Sequence, residues 1–264
     1  MNKDGAISAL MIIKVKNIYR YPVKGLTAES LSKAALKPGQ GLKSDRRFAL
    51  TLGTTPNTGP TMAWMPKTAF LSLMKNEKLA KLTASFNDKT GILNIERKER
   101  IVAKGNITKP VGRAMIEDFF SAYMRSEAQG RPKLVECEPN STLSDHSNAV
   151  ISIINLASVY DLERVAGVKI NPIRFRANIF TDGILAWDEL NWIGRKIQLG
   201  SATLKITKCI NRCPAINVNP DNGDRDLNLI KNLKRGFKHI NMGVFATVIK
   251  AGHVAIDDRL KIKE

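Results

Sequence analysis

KIQLGSATLKITKCINRCP, residues 196–214, holds two β-prone runs on either side of Gly200-Ser201. This arrangement predicts a β-hairpin whose strands cover residues 196–199 and 202–207. The chain then passes through two cysteines to Pro214, a residue that biases Cys213 away from helical conformation. The segment therefore predicts an antiparallel pair of strands. The two cysteines follow these strands, in extended chain or in a turn.

Other short apolar runs surround this hairpin. Strands are predicted over residues 12–19, 31–36, 46–52, 149–154, 178–181, 244–250 and 254–257. A hairpin is predicted over residues 82–95, and Ala251-Gly252 marks another turn. Because these strands do not alternate regularly with helices, we expect an α+β, β-rich fold with a barrel rather than a doubly wound parallel sheet.

Three helices are predicted. Apolar residues spaced for one helix face recur from Phe70 to Leu79, and again over residues 110–124, where Pro110 suits a first turn. Asn155 is suited to cap a third helix, which Gly167 would end.

Composition is that of a folded protein that does not span a membrane. Of 264 residues 43% are hydrophobic, and the apolar run at residues 6–13 is too short to cross a bilayer and lacks a signal-peptide cleavage site. Three cysteines are too few for a disulfide framework in this length and indicate free thiols. We therefore expect a cytoplasmic protein.

The charge balance is strongly basic, with 42 Lys and Arg against 24 Asp and Glu, a net charge of +18. Such a field attracts polyanions and acidic proteins. A nucleic-acid-binding role is disfavoured, because aromatic residues make up only 6%, the basic residues are scattered and no binding motif is found. For most of these residues a solvated basic surface is the simpler interpretation.

Cys209 and Cys213 form the strongest candidate site. In extended chain they share one face with Asn211, and Lys208 and Arg212 favour the thiolate, which binds soft metals and attacks sulfur. A closed zinc site is disfavoured because no second Cys or His pair lies at a suitable spacing. Two buried cysteines in a barrel wall remain an equal alternative on residue types alone.

Two further segments combine charge with a restrained backbone. Tyr21-Pro22-Val23-Lys24-Gly25 ends a predicted strand with a lysine beside a glycine, and Arg174-Phe175-Arg176-Ala177-Asn178 would place two arginines on one face of an incoming strand. Arginine suits bidentate contacts with phosphate or carboxylate. The three histidines form no visible catalytic set, and His146 is best interpreted as a hydrogen-bonded loop residue.

Together these segments resemble the MOSC family, named after the C-terminal domain of molybdenum cofactor sulfurase, preceded by the β-rich module often found before it. The resemblance runs from about residue 18 onward. The matching pieces are residues 21–25, Gly41, residues 45–48, 174–178, Asp182-Gly183, Trp187, Arg212-Cys213, residues 218–223 and 242–245. It implies two parts: an N-terminal β-rich module over residues 1–108, and a MOSC β-barrel with flanking helices over residues 109–264.

Family members such as the mitochondrial amidoxime-reducing component and its bacterial relatives hold a molybdenum cofactor between the two modules. The resemblance implies that Cys213 is the catalytic residue and metal ligand. It places a cofactor-binding set at Lys24, Gly25, Arg46, Asn155, Arg176, Asn211, Arg212 and Phe245. Molybdenum-molybdopterin is the expected cofactor, and pyridoxal phosphate is not expected.

Three positions depart from the amidoxime-reducing pattern. Phe245 stands where that protein has a tyrosine, Gly25 where it has a serine, and Cys209 has no counterpart that the family needs. Because the chain lacks a four-cysteine iron–sulfur set, a reductase would need a separate electron donor.

The leading functional hypothesis is an oxidoreductase that reduces small N-hydroxylated or N-oxygenated substrates. Its electrons would come from an acidic ferredoxin- or cytochrome-like protein. The first alternative is a sulfur carrier, in which a sulfur donor loads a persulfide on Cys213. The sequence does not separate them, since both need an accessible thiolate in an electropositive site.

Overall fold

The computed structural model describes residues 12–56, 59–139 and 141–263. Residues 6–11 of the N-terminal apolar run lie outside the described residues. Within those ranges, no helix has both the length and the apolar character needed to cross a bilayer.

Short strands make up most of the regular structure. The strands of the described residues are β1 (Ile13–Arg20), β2 (Glu29–Leu31), β3 (Lys33–Leu36), β4 (Phe48–Leu50), β5 (Thr61–Met62), β6 (Thr83–Asn87), β7 (Ile92–Arg97), β8 (Arg100–Asn106), β9 (Leu134–Cys137), β10 (Ile151–Asn155), β11 (Ile179–Asp182), β12 (Lys196–Leu199), β13 (Ala202–Asn211), β14 (Asn241–Lys250), β15 (Gly252–Ala255) and β16 (Arg259–Lys263). The α-helices are α1 (Pro110–Met124), α2 (Leu156–Ala166) and α3 (Leu229–Phe237).

Seven strands close into a barrel in the order β11-β10-β14-β13-β12-β16-β1, and β1 pairs with β11 to complete the ring. All neighbours are antiparallel except β10 and β11, which run parallel. The predicted hairpin is confirmed as β12–β13, with Leu199 opposite Ala202. Closure leaves no open sheet edge on the ring, and apolar side chains such as Val15, Ile153 and Leu204 fill its interior. The predicted β-rich α+β fold with a barrel is confirmed.

The remaining strands form three small sheets. The β6–β7–β8 meander contains the predicted hairpin, β4–β9–β5 is a second sheet, and β15 pairs with β3. The turn predicted at Ala251-Gly252 is therefore not a hairpin turn between β14 and β15: β14 stays in the barrel, whereas β15 pairs with β3.

Two predicted helices are confirmed. α1 covers Pro110–Met124 and buries Ile116, Phe120 and Met124 against the N-terminal sheets. α2 begins after Asn155, whose side chain accepts a hydrogen bond from the Ala157 amide, and it ends at Gly167 with φ +74°. Apolar side chains of α2 and α3 share a core on the outside of the barrel.

The helix predicted from Phe70 to Leu79 is wrong. Phe70 has extended backbone, and only two short 3-10 turns, Lys67–Ala69 and Glu77–Lys81, flank it. The Leu71 amide instead donates to the Leu50 carbonyl, so these apolar residues pack as a strand-like segment. The side chain of Asn76 accepts from the Ser72 amide and stabilises the turn between them.

The division of the chain at residues 108 and 109 remains a proposal. The contacts favour a later boundary, because α1 shares its core with N-terminal residues such as Val23 and Phe48. The first strand is also shared between the parts of the molecule, since β1 completes the C-terminal barrel.

Candidate functional site

Two of the sequence segments singled out above lie side by side. The Arg46 amide donates to the Tyr21 carbonyl at 2.7 Å, and the Lys24 amide donates to the Phe48 carbonyl at 2.8 Å. These backbone bonds hold residues 21–24 along residues 46–48. Lys24 and Arg46 therefore enter the same region from neighbouring backbone.

Tyr21 brings two arginines together. Its fully buried ring lies 4.2 Å from the Arg46 guanidinium carbon and 4.3 Å from that of Arg176, measured to the ring centroid. Arg46 also donates to the Arg176 carbonyl at 2.7 Å and to both carboxylate oxygens of Asp45. Cation–π contacts and the Asp45 carboxylate thus offset the repulsion between the two guanidinium groups. Burial raises the pKa of the Tyr21 hydroxyl to about 12, against the opposing effect of both arginines, so Tyr21 stays neutral.

A cavity of about 290 Å³ opens beside this arrangement, and we call it the first cavity. Seven lysines and arginines but only two aspartates line it, so its field favours an anion. The charged lining residues are Lys24, Arg46, Lys67, Arg174, Arg176, Lys208, Arg212, Asp45 and Asp145.

Both candidate cysteines line the first cavity. Cys213 is half-buried and extended, and it precedes the 3-10 turn Pro214–Asn217. Cys209 lies in β13, and its thiol contacts the Leu190 carbonyl at 3.8 Å. Burial and the nearby Glu189 raise the pKa of the Cys209 thiol, which favours its neutral form. The two thiols therefore differ in surroundings, although the sequence gives them the same neighbouring charges.

The predicted alternation of faces along residues 209–213 does not hold. The pairing of β13 with β14 shifts register between Cys209 and Asn211, so Arg212 lines the first cavity together with Asn211 and Cys213. The Arg212 guanidinium donates to the Met242 and Phe175 carbonyls. Burial lowers its pKa to about 10. Arg212 thus fixes the backbone around Cys213.

Lys24, Asp145 and Lys67 form an ion-pair chain across the first cavity. Lys24 is 6% exposed and donates to Asp145 at 2.6 Å and to the Leu143 carbonyl at 2.8 Å. Lys67 lies 3.4 Å from the other carboxylate oxygen of Asp145. The Asp145 side chain is half exposed; its partial loss of hydration raises the pKa of the carboxyl, but Lys24, Lys67 and Arg46 together outweigh this and lower the pKa to about 2. Burial also opposes the charge on Lys67, yet Asp145 and Cys213 together raise the pKa of that ammonium.

Arg176 differs from Lys24, Arg46 and Arg212. The sequence predicted that Arg176 lies on an incoming strand. Instead it follows the 3-10 turn Pro172–Phe175, with φ +52°. Its Nη2 atom is buried and has no hydrogen-bond partner among the described residues. Burial lowers the pKa of its guanidinium to about 10. A buried donor without a partner is costly, so an anion in the first cavity would relieve it.

The other predicted site residues divide into two groups. Gly25, Asn211 and Phe245 line the first cavity, and the Phe245 ring contacts His146 edge-on at 5.3 Å. Gly25 has φ +82°, and a Cβ there would lie 3.2 Å from the Leu71 carbonyl, so glycine is needed for the backbone. The prediction that Asn155 binds the cofactor is corrected. Asn155 does not line the first cavity, and its side chain caps α2 and donates to the Leu185 carbonyl.

Sequence reasoning missed Lys67 and Asp145. Lys67 lies just before the segment wrongly predicted to be helical, in the 3-10 turn Lys67–Ala69, and Asp145 lies in a polar run with no motif of its own. No group of three or more His, Cys, Asp or Glu side chains among the described residues is arranged to hold a metal ion. A metal here would thus depend on a single protein thiolate together with ligands of its own.

Two family models match the sequence. The model described as MOSC domain matches residues 140–261. The model described as MOSC N-terminal beta barrel domain matches residues 12–131.

Known proteins give weaker likenesses. A molybdenum cofactor sulfurase from Caenorhabditis briggsae is 22% identical over 249 residues, covering 88% of this chain and 33% of that protein. The chain therefore spans a third of that relative's length. Among solved structures, the YUAD protein from Bacillus subtilis is 12% identical with a TM-score of 0.46, covering 96% of both chains. YiiM from Geobacillus stearothermophilus is 18% identical with a TM-score of 0.35, covering 43% of this chain and 54% of that one.

The two family models follow one another along the chain and bear out the resemblance that its motifs carry. The protein belongs to the MOSC family.

Proposed function

We propose that the protein binds a molybdenum cofactor in the first cavity and uses it as an oxidoreductase on N-hydroxylated or N-oxygenated small molecules. The observation that supports this proposal best is the buried, unpartnered Nη2 of Arg176 in a cavity that Cys213 also lines. One group with both an anionic phosphate and a thiophilic metal would satisfy both features.

The residues present fit such a group. Arg176 is the donor available to a phosphate, while Lys24 and Arg46 supply positive charge from positions held by Asp145 and Asp45. Cys213 offers a soft sulfur ligand at the opposite chemical end of the group. When bound, the cofactor supplies oxygen-atom transfer to or from the substrate.

The chain's own contribution is to bind and orient. Arg212 fixes the backbone before Cys213, and Lys67 places a positive charge near its sulfur. The half-buried rings of His146 and Phe245 contact each other and also line the first cavity. A separate protein would supply electrons, and an acidic surface on that protein would suit the net charge of +18.

A sulfur carrier is the second candidate function. It is favoured by the relative from Caenorhabditis briggsae, which bears the name molybdenum cofactor sulfurase. The same thiol would serve, since a Cys213 persulfide also needs a thiolate in an electropositive site.

One experiment separates the two candidates. Purified protein from cofactor-competent cells is assayed for turnover of an N-hydroxylated amidine with a reduced donor protein. The same preparation is incubated with a persulfide donor, from which the Cys213 thiolate would take the outer sulfur while the donor leaves as a thiolate, and it is analysed by mass spectrometry for a persulfide on Cys213. Turnover without persulfide formation supports the oxidoreductase. A persulfide on Cys213 without turnover contradicts it and favours the sulfur carrier.

A further inference from the structure

A second cavity of about 860 Å³ adjoins the first, and we call it the second cavity. Its lining comes from N-terminal segments such as residues 25–28 and 80–83 and from C-terminal segments such as residues 215–222. The two cavities share Gly25, Arg174, Arg176 and Ala215 as lining residues. These four residues therefore form the boundary between the two cavities.

The two arginines shared by the cavities each have a buried side-chain nitrogen without a hydrogen-bond partner among the described residues. Three buried side-chain nitrogen or oxygen atoms of the described residues have no hydrogen-bond partner, and two of them are Arg174 Nε and Arg176 Nη2. The Arg174 side chain is only 4% exposed, and its other nitrogens are held by Asp226 and the Asn217 carbonyl. Both unpartnered donors thus belong to residues at the junction of the cavities.

The charge of the second cavity indicates what these donors would take. Five basic residues and two acidic ones line it. They are Lys81, Arg97, Lys98, Arg174 and Arg176, against Glu99 and Asp221. This excess favours a ligand with more than one negative charge, and guanidinium donors match phosphate oxygens in geometry.

We propose that the second cavity is a subsite for a phosphate ester whose phosphoryl oxygens accept a hydrogen bond from Arg174 Nε, beside the Arg176 Nη2 donor that the proposed function gives to the cofactor phosphate. The ester has two chemical sources. It is either a nucleotide that extends the cofactor of the first cavity or a separate phosphorylated small molecule. The first source rests on the function proposed above, and the subsite itself does not.

The subsite is tested by calorimetric titration of the purified full chain with inorganic pyrophosphate and with AMP. We expect saturable binding that Arg174→Gln weakens at least about tenfold, because a charge-assisted hydrogen bond is lost. Asp226→Asn is the matched control, since it breaks the same ion pair but leaves Arg174 Nε in place; it should keep affinity within about threefold.

A second variant keeps the test decisive if Arg174→Gln does not fold. Ala28 lines only the second cavity, and Ala28→Trp should weaken AMP binding at least about tenfold by filling that space. The proposal is overturned if neither probe binds the wild-type protein saturably. It is equally overturned if AMP binds Ala28→Trp as tightly as wild type, because the probe then lies in the first cavity.

A further measurement decides between the two sources of the phosphate ester. Molybdenum-loaded protein is hydrolysed in acid, and the released nucleotide is quantified. Release of about one nucleoside monophosphate per molybdenum identifies an extended cofactor, whereas molybdenum without nucleotide, with AMP binding kept, identifies a separate ligand. Both results support the subsite. Protein that never contains molybdenum would contradict the proposed function, and the AMP titration would still judge the subsite.

Discussion

The cationic residues of the first cavity differ in whether their charged atoms have hydrogen-bond partners within the protein. Lys24, Arg46 and Arg212 have protein partners for their charged atoms, whereas Arg176 keeps a buried nitrogen without one among the described residues. Removing one of the partnered residues would break protein contacts and perturb folding. Removing Arg176 takes away a donor that the protein does not use for itself there.

Arg176→Ala should therefore lose cofactor while the protein still folds. Loss of one partner of a desolvated ionic contact costs about 2–5 kcal/mol. Arg176→Lys should restore only part of the cofactor content, because an ammonium cannot reproduce the guanidinium fork. Molybdopterin content per chain and far-UV circular dichroism are the measurements, with Arg164→Ala on the exposed face of α2 as control. Full cofactor content in Arg176→Ala would show that the assignment is wrong.

Glu189 is a buried carboxyl outside the first cavity. It is fully buried and accepts hydrogen bonds from Ser158. Burial raises its pKa to about 7, since Ser158 offsets only part of the lost hydration. An acid with a raised folded-state pKa favours the folded state less as the pH rises. The loss begins near the unfolded pKa of 4.5 and is complete above the folded value of about 7.

Glu189→Gln should remove this pH dependence. Between about pH 5 and pH 8 the wild-type free energy of unfolding should fall on the order of 2 kcal/mol more than that of Glu189→Gln. Urea unfolding at both pH values measures it, and the comparison with the variant cancels the other titrating groups. Parallel curves for the two proteins would contradict a titrating Glu189.

Elements with a complete local signal were predicted from the sequence. α1 has Pro110 at its start and a regular apolar face, α2 has Asn155 and Gly167 at its ends, and β12–β13 has Gly200-Ser201 between two strands. Residues 70–79 have helical spacing by coincidence, because Leu71 is paired with Leu50 by tertiary structure. The partners of β1 and β15 were beyond prediction for the same reason: they are distant in sequence.

The site residues, too, were predicted where the sequence carries a local motif and missed where only tertiary contacts bring them together. Motif segments identified Lys24, Arg46, Arg176 and Cys213, which the fold does bring to one cavity. Asn155 was misassigned, since its capping bond to Ala157 already uses the side chain. Lys67 and Asp145 were missed because an isolated charge in a loop carries no spacing by which its partner can be recognised.

The contact between α1 and β8 makes a prediction at the scale of elements. A Cβ on Gly112 would lie 2.1 Å from the Asn106 carbonyl oxygen, which is backbone and cannot turn aside. Alanine would gain about 1 kcal/mol in helix propensity. The clash should outweigh that gain, so Gly112→Ala should be destabilised by about 1–3 kcal/mol. Urea unfolding measures the change, with the exposed Val111→Ala as control; a Gly112→Ala variant as stable as wild type would refute the close contact.

At the scale of the whole molecule, the net charge of +18 should act on the rate of association. Electrostatic steering raises association rates with an acidic partner, and salt screens it. Reduction by an acidic ferredoxin or small cytochrome should therefore slow as salt rises, while a neutral chemical reductant should not respond. A salt-independent rate with the protein donor would remove the argument for an acidic partner. Tight, salt-sensitive RNA binding without bound metal would favour the nucleic-acid alternative.

The proposed function depends on one thiol in the lining of a cationic cavity, and metal analysis tests that dependence most directly. Molybdenum per chain is measured in wild-type protein, Cys213→Ser and Cys209→Ser, all purified from cofactor-competent cells. A hydroxyl is a harder and far less acidic ligand than a thiol, so Cys213→Ser should lose nearly all molybdenum. Cys209→Ser should keep it, because Cys209 is turned toward Leu190 and Glu189. Equal losses in both variants, or wild-type molybdenum in Cys213→Ser, would contradict Cys213 as the single protein ligand.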